Sequence, residues 1–176
     1  MPFPPPSLKG RALRLLSGRE YSRTELERKL KTHEESPGLL TQALDELQAK
    51  GFINEQRVLD SVIHRRSAKL GAARIRQELQ HKGLDPDAVK AAIQDLQATE
   101  FERAHAIWCK KFGAAAAATA NRDDNDDTVD TAGMRATPGA AERGRQIRFL
   151  MARGFGSDTI RRVMAAGSSG QALNLK

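Results

Sequence analysis

The chain has 176 residues, and its 29 Lys and Arg against 22 Asp and Glu give a formal net charge of +7. Hydrophobic residues are 39% and aromatic residues 5% of the chain, which disfavours one dense core and favours small stacked units. No apolar run is long enough to cross a membrane, no secretory signal is visible, and the single cysteine excludes an internal disulfide. We therefore expect a cytoplasmic protein whose positive charge suits a polyanion or an acidic protein surface.

Hydrophobic residues recur at helical spacing along almost the whole chain, so the sequence predicts an all-α fold. Residues 1–7 are proline-rich and predict a flexible leader. Residues 8–51 predict three short helices, of which the second opens with a capping box of Ser22 and Glu25 and the third ends at Gly51. The predicted core residues are Leu8, Ala12, Leu13, Leu16, Leu26, Leu30, Leu39, Leu40, Ala43, Leu44 and Leu47.

Residues 52–98 repeat this pattern. The first helix is predicted to run to Leu70 and Gly71, the second to end at Gly83, and the third to begin with Asp85 as N-cap and Pro86 at the first helical position. The predicted core residues are Val58, Leu59, Val62, Ile63, Ile75, Leu79, Val89, Ala92, Ile93 and Leu96.

Residues 99–166 predict a third set of helices, interrupted by an insertion over about 114–140. The insertion holds an alanine run, five Asp and two Arg. We expect it to be disordered, although its alanines can extend the preceding helix by a turn or two. Ser157 is the predicted N-cap of the last helix, and residues 167–176 predict a frayed tail. The predicted core residues are Phe101, Ala104, Ile107, Trp108, Phe112, Ile147, Leu150, Met151, Phe155, Ile160, Val163 and Met164.

The three sets of helices can be superposed as sequence repeats. The equivalent positions are Leu26, Ile75 and Ile147; Leu30, Leu79 and Met151; Val89 and Ile160; and Ile93 and Met164. The interval between the first two repeats is 49 residues and the next is 72, and the extra 23 residues match the size of the insertion. The sequence therefore predicts three tandem three-helix repeats.

The positive charge belongs to the predicted helices, because the insertion carries a net charge of −3 and leaves +10 for the rest. A single basic side chain is most simply a solvated surface residue, but the set predicts a surface for phosphates or carboxylates. Arginine predominates in the last repeat and suits bidentate contacts with such groups. The candidate binding residues are Arg65, Arg66, Lys69, Arg74, Arg76 and Lys82 in the middle repeat, and Arg145, Arg148 and Arg153 in the last.

The sequence offers no catalytic or metal-binding constellation. The four histidines share no ligand spacing. Cys109 follows Trp108 on an apolar stripe, so we expect a small buried hydrophobe rather than a nucleophile. Neither a phosphate-binding loop nor a dinucleotide fingerprint is present. The sequence therefore predicts a binding protein that is not an enzyme and that uses no cofactor and no metal.

Several stretches together resemble the signatures of the RecX family of regulatory proteins. They are GFINE at 51–55, KLGAARIRQEL at 69–79, KGL at 82–84 and RGFGSDTI at 153–160. The resemblance covers residues 8–166 apart from the insertion. The sequence departs from the family pattern in the acidic insertion and at Val58-Leu59, where a small or aromatic pair is usual.

The resemblance implies an elongated, curved, solenoid-like modulator of the RecA recombinase, with a role in DNA repair, homologous recombination and the SOS response. Such proteins bind the RecA filament on single-stranded DNA and inhibit its extension, ATP hydrolysis, strand exchange and coprotease activity. We expect that filament to be the partner, contacted by the candidate basic residues, together with weak direct DNA binding, a monomeric state and no membrane association.

A direct DNA-binding protein that uses basic, helix-turn-helix-like repeats is the alternative. Few aromatic residues are available to stack on unpaired bases, because Phe101, Trp108 and Phe112 have the spacing of a helical core. The two hypotheses differ in an observable way. A phosphate binder holds naked DNA with an affinity that falls steeply with salt, whereas the modulator prefers the filament.

Overall fold

The computed structural model describes residues 6–120 and 138–168, and within these ranges it contains α-helices, one short 3₁₀ helix and no strand. The predicted all-α fold is confirmed. The helices are α1 (Leu8–Leu16), α2 (Arg23–Leu30), the 3₁₀ helix (Lys31–His33), α3 (Leu39–Ala49), α4 (Glu55–Arg66), α5 (Ala72–His81), α6 (Pro86–Ala98), α7 (Glu100–Ala120), α8 (Pro138–Ala152) and α9 (Ser157–Ser168).

The chain divides into two compact units. Unit one consists of residues 1–66 and 75–93, and unit two of residues 67–74 and 94–176. One boundary between the units therefore directly follows α4 and the other two fall inside α5 and α6, so none lies between successive sets of three helices.

Unit one contains a core built by α1, α2 and α3. The predicted capping box is present, since Ser22 and Glu25 exchange hydrogen bonds at the start of α2. Leu13 was predicted to lie in the core but is 38% exposed, and Leu15 packs there instead. The reason is helical geometry, because α1 centres its buried stripe on Ala12, and Leu15 lies three residues along the same face.

Unit two is built around α7, which packs along α9 and α8. Its core contains Trp108 and Phe112 as predicted, while Phe101 is partly buried. On α8 the predicted core residue Leu150 is buried and Ile147 is partly buried, whereas Met151 is exposed and Gln146, which was not predicted, is buried. The Trp108 indole N–H donates to Gln146 Oε1 at 3.0 Å, and this bond helps to fix which face of α8 meets α7.

Helix α4 ends at Arg66 rather than near Gly71 as the sequence predicted. The guanidinium of Arg103 donates to the carbonyl oxygens of Ser67 at 2.8 Å and Leu70 at 2.9 Å. These bonds satisfy carbonyls outside the helix, so the chain can leave helical geometry without losing hydrogen bonds.

Two glycines of the RecX-like signatures lie in direct backbone contact within unit two. Gly71 donates its N–H to the carbonyl of Arg153 at 2.9 Å, and Ala73 donates to the carbonyl of Gly154 at 3.3 Å. A Cβ on Gly71 would lie 2.2 Å from the Gly154 oxygen, and Gly154 itself has φ +80°. This contact requires glycine on both sides, for space at one and for backbone conformation at the other.

The start of α9 differs from the prediction that Ser157 is its N-cap. Ile160 donates to the carbonyl of Gly156 at 2.9 Å, so Gly156 holds the cap position and has no side chain to offer. The carboxylate of Glu100, from α7, binds this first turn instead. Its Oε2 accepts from the Thr159 hydroxyl at 2.9 Å and from the Gly156 N–H at 3.4 Å.

The same carboxylate also binds the start of α5. Glu100 Oε1 accepts from the N–H of Ala72, the first residue of α5, at 2.9 Å. Only 6% of Glu100 is exposed. A buried carboxylate thus joins the N-terminal ends of α5 and α9, where backbone N–H groups and the helix dipole both favour negative charge.

The two ends of the predicted insertion are helical. Helix α7 continues through the alanine run to Ala120, as the sequence allowed, and α8 begins at Pro138. Residues 114–120 and 138–140 of the predicted insertion are therefore helical. The rest of the predicted disordered insertion, 121–137, lies outside the described residues, as do residues 169–176 of the tail predicted over 167–176 and residues 1–5 of the predicted leader.

Cys109 is exposed, which corrects the prediction that it is a buried hydrophobe. One residue along a helix is a rotation of about 100°, so Cys109 turns away from the core that Trp108 enters. Its Sγ lies 3.6 Å from Nε2 of His105. Partial burial raises the pKa of the Cys109 thiol, which reduces its reactivity because the thiolate is the nucleophile.

Candidate nucleic-acid and acidic-protein interface

The candidate basic residues of unit one that are exposed are Arg65, Arg66 and Arg76. Arg65 donates to the carbonyl of Ser61 on its own helix at 3.1 Å. Arg66 forms an ion pair with Glu78, with Nε 3.0 Å from the carboxylate. Within the ranges described, Arg76 has no ion pair, so its charge is available to a partner.

The candidate residues of unit two are Lys69, Arg74, Arg145, Arg148 and Arg153. Arg145 pairs with Glu142 at 3.0 Å, one helical turn away. The guanidinium of Arg153 stacks on the Phe149 ring, 3.6 Å from its centroid, and its backbone carbonyl binds Gly71. Arg153 is therefore partly structural.

Lys82 does not belong to an exposed surface, which corrects its place among the candidates. It is 7% exposed, and its Nζ lies 2.8 Å from Glu25 Oε1, to which Arg19 also donates at 3.0 Å. The backbone carbonyl of Lys82 accepts from the Ser22 hydroxyl at 2.6 Å. A buried polar network thus holds Ser22, the N-cap residue of α2, against Lys82, the residue that follows α5.

This network controls the ionisation of Glu25. Burial by itself would raise the pKa of Glu25, but the hydrogen bonds from Lys82, Arg19 and the Ser22 N–H outweigh it and lower the pKa to about 2. The carboxylate therefore stays charged at pH values well above 2.

Replacing Lys82 with alanine is expected to lower the free energy of unfolding by about 2–3 kcal/mol, because it leaves a buried carboxylate short of one partner. The exposed Lys90 of α6 gives the matched control, since Lys90→Ala is expected to cost about 0.5 kcal/mol or less. Urea unfolding followed by far-UV circular dichroism measures both. An equal change in the free energy of unfolding in the two variants would show that Lys82 behaves as an exposed surface residue.

Acid is expected to weaken unit one through Glu25. Its folded pKa lies below the ordinary value of 4.5, so this stabilisation is complete above pH 4.5 and is lost as the pH falls toward 2. The loss is on the order of 3 kcal/mol. Urea unfolding at pH 7, 4 and 3 should show the stability gap between the natural protein and Glu25→Gln closing as the pH falls; a constant gap contradicts this assignment.

The cations that remain free define the candidate interface. Among residues 6–120 and 138–168, five of the nine candidates are exposed and make no ion pair: Arg65 and Arg76 in unit one, and Lys69, Arg74 and Arg148 in unit two. Charges without an internal partner are the ones that can neutralise phosphates or carboxylates of a binding partner at little cost.

The described part of the chain contains no group of three or more His, Cys, Asp or Glu arranged to hold a metal ion. Nor does any helix in that part combine the length and apolar character needed to span a membrane.

Comparison with known proteins identifies relatives along most of the chain. RecX family models match as the first three-helix domain over residues 9–47, the second over 54–93 and the third over 132–164. A protein named "Regulatory protein RecX" from Leptothrix cholodnii is 44% identical over 158 residues, which covers 90% of this chain and 87% of the relative. A protein of the same name from Ralstonia nicotianae is 38% identical over 164 residues, which covers 93% of this chain and 90% of the relative.

The solved structure of RecX from Lactobacillus salivarius has the same fold. It superposes with a TM-score of 0.65 at 18% sequence identity, and the match covers 92% of this chain and 95% of that one. The predicted three-helix repeats are therefore confirmed. With three family domains in order and close relatives over nine-tenths of its length, the chain belongs to the RecX family of regulatory proteins.

Proposed function

We propose that this protein is a negative regulator of RecA that binds the RecA filament on single-stranded DNA and inhibits its extension, ATPase, strand-exchange and coprotease activities. The observation that carries the proposal is the 44% identity to a regulatory protein RecX over 90% of the chain. The protein acts by binding and has no turnover of its own. We propose that it works as a cytoplasmic monomer and holds DNA alone only weakly.

The free cations give this proposal a physical basis. A nucleoprotein filament presents phosphates and protein side chains together, and the arginines of this chain can bind either phosphate or carboxylate in a bidentate manner. Arg74 and Arg76 of α5 are both exposed and carry no ion pair to a described residue. They are the residues on which the proposal places most weight, since α5 also lies in the RecX-like signature at 69–79.

Reversing both charges, as Arg74→Glu with Arg76→Glu, is expected to raise the concentration needed for half-inhibition at least about tenfold, the loss of one or two charge-assisted contacts. The measurement is steady-state ATP hydrolysis by RecA on single-stranded DNA, with the regulator titrated from far below to near the RecA concentration. Inhibition well below one regulator per RecA would show that it acts on the filament as an assembly.

The matched control reverses two exposed lysines of α7 outside the candidate set, Lys110→Glu with Lys111→Glu. It changes the net charge by the same amount and should shift half-inhibition less than about threefold if the effect is local rather than general. Thermal melts confirm that both double variants fold. Inhibition unchanged in the Arg74 and Arg76 variant would assign the contact to other residues.

Direct DNA binding is the second candidate function, favoured by the same free cations. Binding to naked single-stranded DNA across a salt series separates the two. A steep linear fall of log affinity with log salt, without preference for the filament, supports the DNA-binding protein. Tighter binding to the filament than to DNA or RecA alone supports the regulator.

A further inference from the structure

The third set of helices leaves apolar surface uncovered at a position that the first two bury. Met151 is 61% exposed, whereas the equivalent Leu30 and Leu79 are 3% and 0% exposed. Ile147, one turn earlier on α8, is only partly buried. A large side chain of this kind costs free energy when it faces water, and a cluster of them marks a contact surface.

Around Met151 the surface forms a groove of about 510 Å³ within unit two. Its apolar lining comes from Ala73, Ile147, Met151, Phe155, Ile160 and Met164. The groove lies between α8, α9 and the turn at Gly154. A volume in this range holds several side chains.

The charged residues that line the groove are all basic. Arg143 and Arg161 both line it, and no acidic residue does. Arg143 forms no ion pair with any residue that the structure describes. Arg161 pairs with Asp158 at 3.1 Å, but their side chains are 77% and 84% exposed, and such a pair is worth little in water. Both arginines can therefore turn to a partner.

We propose that this groove binds an acidic amphipathic helix of a partner protein. Apolar side chains at positions i, i+3 or i+4, and i+7 of that helix enter the groove beside Met151, and carboxylates on its flanks pair with Arg143 and Arg161. This inference goes beyond the proposed function, because it concerns residues outside the candidate interface and does not depend on the partner being RecA.

The test uses the full chain and fluorescein-labelled helical peptides of about 18 residues, long enough for two anchoring turns on either side of the groove. The acidic probe carries leucines on one face and glutamates elsewhere. A second peptide has lysines in place of the glutamates, and a third has the acidic composition with leucines scattered around the helix. Fluorescence anisotropy is expected to show at least about tenfold tighter binding of the acidic amphipathic probe than of either control.

Variants of the protein locate the binding. Met151→Glu is expected to weaken the acidic probe at least about tenfold. The matched control is Leu39→Glu on α3, which changes an apolar residue that is itself 44% exposed and should leave binding unchanged. Binding of the lysine peptide with equal affinity, absence of binding, or equal loss in both variants would overturn the proposal.

Two further experiments distinguish the proposed partner from two other occupants of the groove. A dimer in sedimentation experiments that dissociates on Met151→Glu would assign the groove to a second copy of this chain. Tighter peptide binding after Leu173→Glu with Leu175→Glu would assign it to the C-terminal segment. Either result replaces the proposed partner. The proposal is supported if the protein is a monomer and if the Leu173→Glu, Leu175→Glu variant binds the peptide with unchanged affinity.

Discussion

Replacing Gly71 with alanine is expected to lower the free energy of unfolding of unit two by at least about 3 kcal/mol. The added methyl carbon would lie 2.2 Å from the carbonyl oxygen of Gly154 and 2.4 Å from the nitrogen of Phe155. Because both are backbone atoms, no flexible side chain can move aside. The segment 71–73 must separate from the turn at 153–154, and this separation breaks the hydrogen bonds between them.

Trp108 provides the measurement. It is the single tryptophan of the chain and lies in the core of unit two, so its fluorescence during urea unfolding reports on that unit. Gly139→Ala is the matched control, since a Cβ there meets nothing within 4 Å. In a helix this change should be neutral or stabilising by up to about 1 kcal/mol. A Gly71→Ala protein as stable as the control would show that the two signatures do not need this contact.

Replacing Glu100 with alanine is expected to cost about 3 kcal/mol or more, because its carboxylate accepts three hydrogen bonds in a buried position and each bond to a charged group contributes about 1.5–3 kcal/mol before relaxation. Its loss leaves the N–H groups of Ala72 and Gly156 and the hydroxyl of Thr159 without their acceptor. Both α5 and α9 would lose their N-terminal anchor.

Glu102 gives the control for this change, since it lies two residues further along α7, is exposed, and also carries a carboxylate in the first turn of the helix. Glu102→Ala should cost no more than about 0.5 kcal/mol through the helix dipole. Glu100→Gln should fall between the two, because an amide keeps only one acceptor oxygen. Equal unfolding midpoints for the Glu100 and Glu102 alanine variants would contradict the anchoring role.

Local patterns in the sequence were enough for most of the fold. Hydrophobic spacing predicted the helices, the pair Ser22 and Glu25 predicted a capping box, and the glycine at 83 correctly marked a helix end with φ +70°. These features depend on residues close in sequence, and their energetics are local. The repeat pattern was visible for the same reason, because each repeat carries its own copy.

What the sequence could not decide depends on residues far apart in the chain. Lys82 reads as one more surface cation until Glu25, 57 residues away, is placed beside it. Met151 occupies the position of two buried leucines, yet the residues that α8 buries are Gln146, which is bonded to Trp108, and Leu150. No capping motif around Glu100 in the sequence indicates that its carboxylate binds the first residues of α5 and α9.

The sequence by itself therefore determined the helices, their threefold repetition, the family and the supply of positive charge. Only the tertiary structure decided which cations are free, which are consumed in buried pairs, and which apolar face stays open. The physical reason is that helix formation and capping follow from neighbours along the chain, whereas burial and ion pairing depend on which distant residues supply the remaining side of each contact.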